Sequence, residues 1–217
     1  MRPRAAAGAA GATAHGPRAG QGFTLVELLI AMALLAMLMS LAAPAYSTWV
    51  RNTQVRAVAE SLQNGIRLAQ AEAMARNRQT ALYLTHAVPS RTAPPAAGGR
   101  HWVVRWIPLP GDTLVTTNPQ REPFIQGGAL SDVAAGVEIS GPTALCFNAV
   151  GRRVANNATG LAGLQCAVNA GNPTAVFDIT GGAGTRALRV TVSLGGQVRL
   201  CDPARALGGA QPDGCPA

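Results

Sequence analysis

Hydrophobic and polar positions change rhythm twice along this chain. Residues 1–22 show neither helical nor strand periodicity. Residues 23–43, FTLVELLIAMALLAMLMSLAA, are apolar almost without interruption, with Thr24, Glu27 and Ser40 the only polar positions. As a helix that run spans about 30 Å, the thickness of a bilayer's hydrocarbon core. Pro44 closes it. Beyond it, over 50–77, Val55, Val58, Leu62, Ile66, Ala69 and Ala73 recur at steps of three and four, while Arg51, Arg56, Glu60, Arg67, Glu72 and Arg76 fill the other faces. That spacing predicts an amphipathic helix. Pro44 can kink a helix without ending it, so one long helix is expected, apolar all round in its first half and amphipathic in its second.

After residue 77 the period shortens to that of strands. They are expected over 79–85, 101–107, 113–116, 137–140, 144–147, 175–179, 187–194 and 197–201, punctuated by Gly, Pro and Asn. Leu194-Gly195-Gly196-Gln197 reads as a hairpin turn, and 86–100 as a long mobile loop. One helix followed by strands predicts an α+β layer, the amphipathic half-helix packed on an antiparallel sheet. Four segments result: 1–22, 23–43, 44–77 and 78–217.

Charge adds an orientation. Every basic residue is Arg, because the chain has no Lys, and the net charge is +8. Arg2, Arg4 and Arg18 precede the apolar run without an acid among them. The positive-inside rule then keeps the N-terminus cytoplasmic and sends residues 44–217 to the periplasm. A leader of this composition reads as a processing segment outside the fold.

The four cysteines, Cys146, Cys166, Cys201 and Cys215, form no C-x-x-C, and the three His are scattered, which excludes a recognisable metal site. An even count in the C-terminal half of an exported domain reads as two disulfides in an oxidising compartment. Four cysteines allow three connectivities, and sequence does not choose among them. Closure of local loops favours Cys146–Cys166 and Cys201–Cys215, each worth about 3 kcal/mol by chain entropy. There is no P-loop, no G-x-S-x-G and no H-E-x-x-H, and no cofactor or enzymatic activity is expected. Gly181-Gly182-Ala183-Gly184 opens no helix and reads as a turn.

The stretch Gly22-Phe23-Thr24-Leu25-Val26-Glu27-Leu28 puts a glycine before the apolar helix and a carboxylate inside it. A charge at the centre of a membrane helix costs about 2.5–3.5 kcal/mol on insertion scales, so a carboxylate within the span calls for a reason. The stretch resembles the processing and methylation site of type IV prepilins and type II secretion pseudopilins. The resemblance implies cleavage between Gly22 and Phe23 by a prepilin peptidase, which also methylates the Phe23 amine. It implies that Glu27 pairs with the Phe23 amine of a neighbouring subunit during assembly, and it matches Pro44 to the family's helix kink. Partners implied are that peptidase/methyltransferase, other pilin or pseudopilin subunits, an inner-membrane assembly platform and the lipid itself. The rival is an ordinary secretory signal cut near Ala43-Pro44-Ala45. Against it stand the length of the run, the interruption by Glu27, and a proline at the cleavage point.

The remainder resembles the GspH/FimT group, through Phe147-Asn148-Ala149-Val150-Gly151-Arg152 in mid-domain and Gly196-Gln197-Val198-Arg199 near the end. Within it, the tail from Val198 to Pro203, with Cys215 beyond, is similar to the disulfide-closed tail of minor type IV pilins. The resemblance therefore implies a minor subunit of a type IV pilus, in its tip or priming complex, or the H-type pseudopilin of a type II secretion system. Some members bind DNA through a C-terminal Gly-Arg-x-Arg. Here Gln197 stands where the first Arg would, yet Arg186, Arg189, Arg199 and Arg205 cluster nearby, with Arg152-Arg153 able to join them. DNA is thus an alternative partner, weighed against a solvated strand face carrying outward Arg.

Overall fold

The computed structural model describes residues 23–109, 111–112, 122–130, 134, 136–171 and 173–216, and of Ala42 the backbone only. Gly22, the leader arginines and the strand expected over 113–116 lie outside the described residues. Helix α1 runs Leu25–Arg76 with Pro44 inside it, and the chain divides into two compact units, Met1–Ala43 and Pro44–Ala217.

In the first unit every large apolar side chain from Phe23 to Leu41 is at least 54% exposed. Among the described residues no single helix is long and apolar enough to cross a membrane. By length and composition, Leu25–Leu41 and Ala43–Arg76 qualify only together, as a bent pair.

In the second unit α1 continues to Arg76, and Asn77, in the left-handed region at φ 49°, ends it. The Arg78 N–H donates to the Ala73 carbonyl at 3.1 Å, the six-to-one bond of a helix C-terminal cap. Among the described residues ten strands follow: β1 Thr80–Thr85, β2 His101–Trp106, β3 Phe124–Gly128, β4 Glu138–Ser140, β5 Ala144–Phe147, β6 Arg153–Val154, β7 Ala175–Thr180, β8 Leu188–Val192, β9 Val198–Ala206 and β10 Gly214–Cys215. They form two five-stranded sheets, β3-β2-β1-β5-β6 and β10-β9-β8-β7-β4. All pairings are antiparallel except β9 with β10. The chain is therefore α+β, a long N-terminal helix packed on largely antiparallel sheet, although the sheet is two where sequence suggested one.

Both sheets bury apolar faces against α1. Val55, Val58, Ala59, Leu62, Ile66, Ala69 and Ala73 share a core with Leu82, Leu84 and Val104 of the first sheet and with Phe177, Ile179, Val190 and Val192 of the second. Each large side chain buried there contributes about 1.5–3 kcal/mol. The first sheet is covered on its other side as well, so β1 is buried throughout. Ala81, Tyr83, Val103, Ala144 and Cys146 point there and meet Ala93, Leu164 and Cys166. The segment 86–100, expected to be mobile, forms part of that cover. Ala93 is buried, its carbonyl accepts from Tyr83 Oη at 3.0 Å, and the Ala96 N–H donates to Leu84.

Trp102 locks helix to sheet. Its indole fills the space that side chains at Gly65 and Gly128 would occupy, with ideal Cβ positions 2.9 and 2.4 Å from the ring. Its Nε1 donates to Ser61 Oγ at 3.2 Å. This close approach accounts for β3, which sequence did not predict. Its two glycines, Gly127 and Gly128, look like turn residues but make room for Pro89 and Trp102.

Candidate functional site: the helix head, the motif turns and the C-terminal clip

At the head of α1, Thr24 caps the helix. Its Oγ1 accepts from the Glu27 N–H at 3.2 Å, and its carbonyl accepts the first helical bond, from Leu28, at 3.1 Å. A threonine three residues before a glutamate is the sequence of a capping box, and an acid in the first turn favours the positive end of the helix dipole. The Phe23 ring and the Glu27 side chain are both exposed.

The two motif turns come together, though they are separated by some 45 residues in sequence. Gly151 and Gly196 both take positive φ, 75° and 93°. The half-buried Gln70 side chain on α1 donates through Nε2 to both carbonyls, to Gly151 at 3.1 Å and to Gly196 at 2.6 Å. The Arg153 N–H donates to Leu194, tying β6 of one sheet to the β8–β9 hairpin of the other. Arg153 Nη1 donates to Pro173 and Val192 at 2.6 and 2.8 Å. Arg153 is buried, and desolvation lowers its pKa. It is therefore a strut between the sheets and is unavailable as the surface cation suggested from sequence, because its guanidinium is turned inward onto carbonyls. Neither Gln70 nor this role for Arg153 was visible in the sequence, since both depend on pairing elements far apart in the chain.

The four candidate phosphate contacts are partnered as well. Arg186 meets Asp202 at 2.6 Å and Asp213 at 2.8 Å. Arg205 meets Asp213 at 3.0 Å. Arg189 forms a two-bond fork with Asp178, at 2.7 and 3.2 Å, across the β7–β8 pair. Arg199 donates to the carbonyls of Pro212 and Gly214 at 3.0 and 3.4 Å. Asp202 is buried beside Cys201, and its N–H donates to Asp213. Desolvation opposes ionisation of Asp213, but the Arg186 hydrogen bond and the charge of Arg205 outweigh it and hold its carboxyl below the usual range. The Asp202 hydrogen bond raises Arg186 further. This clip fastens the loop closed by Cys201–Cys215, 14 residues apart, and the Arg186 N–H joins it to α1 through Asn52 Oδ1 at 2.8 Å. The other disulfide, Cys146–Cys166, joins β5 to the cover of the first sheet. Among the described residues no group of His, Cys, Asp or Glu is arranged to hold a metal.

Comparison with known proteins bears on both ends of the chain. The Prokaryotic N-terminal methylation motif matches residues 17–43, and the family described as Type II transport protein GspH matches residues 58–208. No curated relative matches the chain. Among solved structures, it is similar to the type IV minor pilin FimU of Pseudomonas aeruginosa, at 14% identity over 73% of this chain and 96% of that one, TM-score 0.47. It is also similar to the minor pseudopilin EpsH from the Type 2 Secretion System of Vibrio cholerae, at 14% identity over 70% and 99%, TM-score 0.40. With more than half its length matched, this chain belongs to the family of the Type II transport protein GspH, and its residues 17–43 carry the prokaryotic N-terminal methylation motif.

Proposed function

We propose that the chain is a minor filament subunit of a type IV pilus, within the tip complex that primes assembly, and that its role is structural. Residues 1–22 are the leader, removed between Gly22 and Phe23 by a prepilin peptidase that methylates Phe23. Residues 23–43 hold the precursor in the inner membrane, N-terminus cytoplasmic, with Pro44 as the kink, and 44–217 fold in the periplasm. Glu27 then pairs with the Phe23 amine of a neighbouring subunit on the assembly platform. One observation carries this reading: a Gly22-Phe23 junction and an acid at position 27 head a helical segment whose large apolar side chains all stand exposed. Such a segment needs lipid or other copies of itself around it.

The disulfide-closed, ion-paired tail supports a pilus over a secretion pseudopilus. The pairing of Arg186, Arg189 and Arg205 with carboxylates, and of Arg199 with backbone carbonyls, weighs against the alternative of a DNA receptor, because phosphate would have to displace partners already in place. The experiment is to probe sheared surface filaments and membranes separately for the full chain in its host. The expected outcome is a small amount in the filaments and the bulk in membranes. Absence from filaments together with a secretion defect on deletion would favour the pseudopilus, and a salt-sensitive gel shift by the purified chain would restore the DNA reading.

A further inference from the structure

The segment just past Pro44 belongs neither to the apolar run nor to the folded domain. No charged residue occurs from Leu28 to Val50, and Arg51 is the first. The first helix residue buried by the sheets is Val55. Between these limits Tyr46 and Trp49 are 67% and 63% exposed. They stand three residues apart with ring centroids at 6.0 Å, so they share one side of α1. The Ser and Thr hydroxyls in and beside the segment are satisfied internally. Ser47 and Thr48 donate to the Pro44 carbonyl at 2.9 and 3.1 Å, and Thr53 to Trp49 at 3.0 Å.

We infer that residues 44–50 lie in the outer headgroup layer of the inner membrane, with Tyr46 and Trp49 as its anchors and Arg51 at its aqueous limit. The inference rests on the membrane-anchored reading above and names the lipid contact within it. Amphipathic rings concentrate at that depth, apolar body inward and polar tip outward. The lengths agree. Residues 46 and 49 lie about 4–9 Å of helix rise beyond residue 43, and the headgroup layer is about 5–7 Å thick on each side. Arg51 then faces lipid phosphate.

The test uses the full precursor in phosphatidylethanolamine–phosphatidylglycerol vesicles, with lipids brominated either near the headgroup or near the chain ends. Trp102 and Trp106 are buried in the domain, which leaves Trp49 as the reporter. Carbonate-resistant protein should be quenched more by the shallow bromines than by the deep ones, and that quenching should be lost in Trp49→Phe. Resistant protein with quenching unchanged in Trp49→Phe, or strongest with deep bromines, overturns the inference and leaves the anchor standing. Extraction by carbonate overturns both.

Discussion

Glu27→Leu should mature and fold normally and fail to enter filaments. Two effects compete at this position, and their sizes separate them. As an acid in the first turn of α1, Glu27 stabilises the helix end by about 0.3–1 kcal/mol, which Leu would forfeit with little visible consequence. The Thr24 cap survives the change, because it uses the Glu27 backbone N–H and not the side chain. As the proposed partner of a neighbour's Phe23 amine in a low-dielectric core, the carboxylate would matter far more. Removing one half of a buried ion pair costs about 3–5 kcal/mol, because the other charge is left uncompensated. That lowers the association constant by roughly two to four orders of magnitude. Leu also inserts into a bilayer more readily than Glu, so membrane levels should not fall. Blots of sheared filaments and membranes should show the variant in membranes alone. Equal entry of Glu27→Leu and the unaltered chain would reduce Glu27 to a helix-dipole residue.

Gly196→Ala is expected to destabilise the unit Pro44–Ala217 more than any other one-carbon change in the hairpin. An ideal Cβ at Gly196 would lie 2.2 Å from the Gly151 carbonyl oxygen and 2.6 Å from Gln70 Nε2. The backbone there sits at φ 93°, which side chains other than glycine's adopt only under strain. Strain of about 1–3 kcal/mol adds to the loss of the two Gln70 hydrogen bonds, at about 0.5–1.5 kcal/mol each. The total of about 2–6 kcal/mol corresponds to a fall in Tm on the order of 10 °C for a unit of this size. Gln70→Ala removes only the bonds and should cost less, and the two changes should combine to less than their sum because they break one junction. Melting the full chain in detergent micelles checks this. An unchanged Tm for Gly196→Ala would mean that the motif turns do not bear on stability.

Much of the fold was legible because periodicity reports burial directly. The helix stripe from Val55 to Ala73 was read residue by residue, and all six residues named in it are buried. The strands of three residues or more were likewise found within one or two residues of their ends, apart from β3, which was not predicted, and β9, which runs on to Ala206, past the expected end at Cys201. What escaped was whatever depends on contact between distant parts. β6 and β10 are two residues each and carry no period. β10 exists because Cys215 is tied to Cys201 and runs beside β9. β3 was hidden by glycines whose reason is the Trp102 indole. The arginines near the C-terminus were read as a cluster, and the structure does bring Arg186 and Arg205 together, but onto Asp202 and Asp213. Charge sign was visible in the sequence, and charge pairing was not. Arg105 marks the same limit: a buried strand residue whose Nε has no hydrogen-bond partner and whose pKa burial lowers, at a position where alternation alone promised nothing unusual.

On the proposed function, this chain is cut after Gly22 and built into a filament through its new N-terminus. Intact-mass analysis of the protein extracted from membranes of its own host tests it most directly. The expected chain begins at Phe23, carries one methyl group on its amine, and retains both disulfides. A chain that begins at Tyr46 would contradict it, because a signal peptidase would then have removed the leader, Glu27 and the whole apolar run.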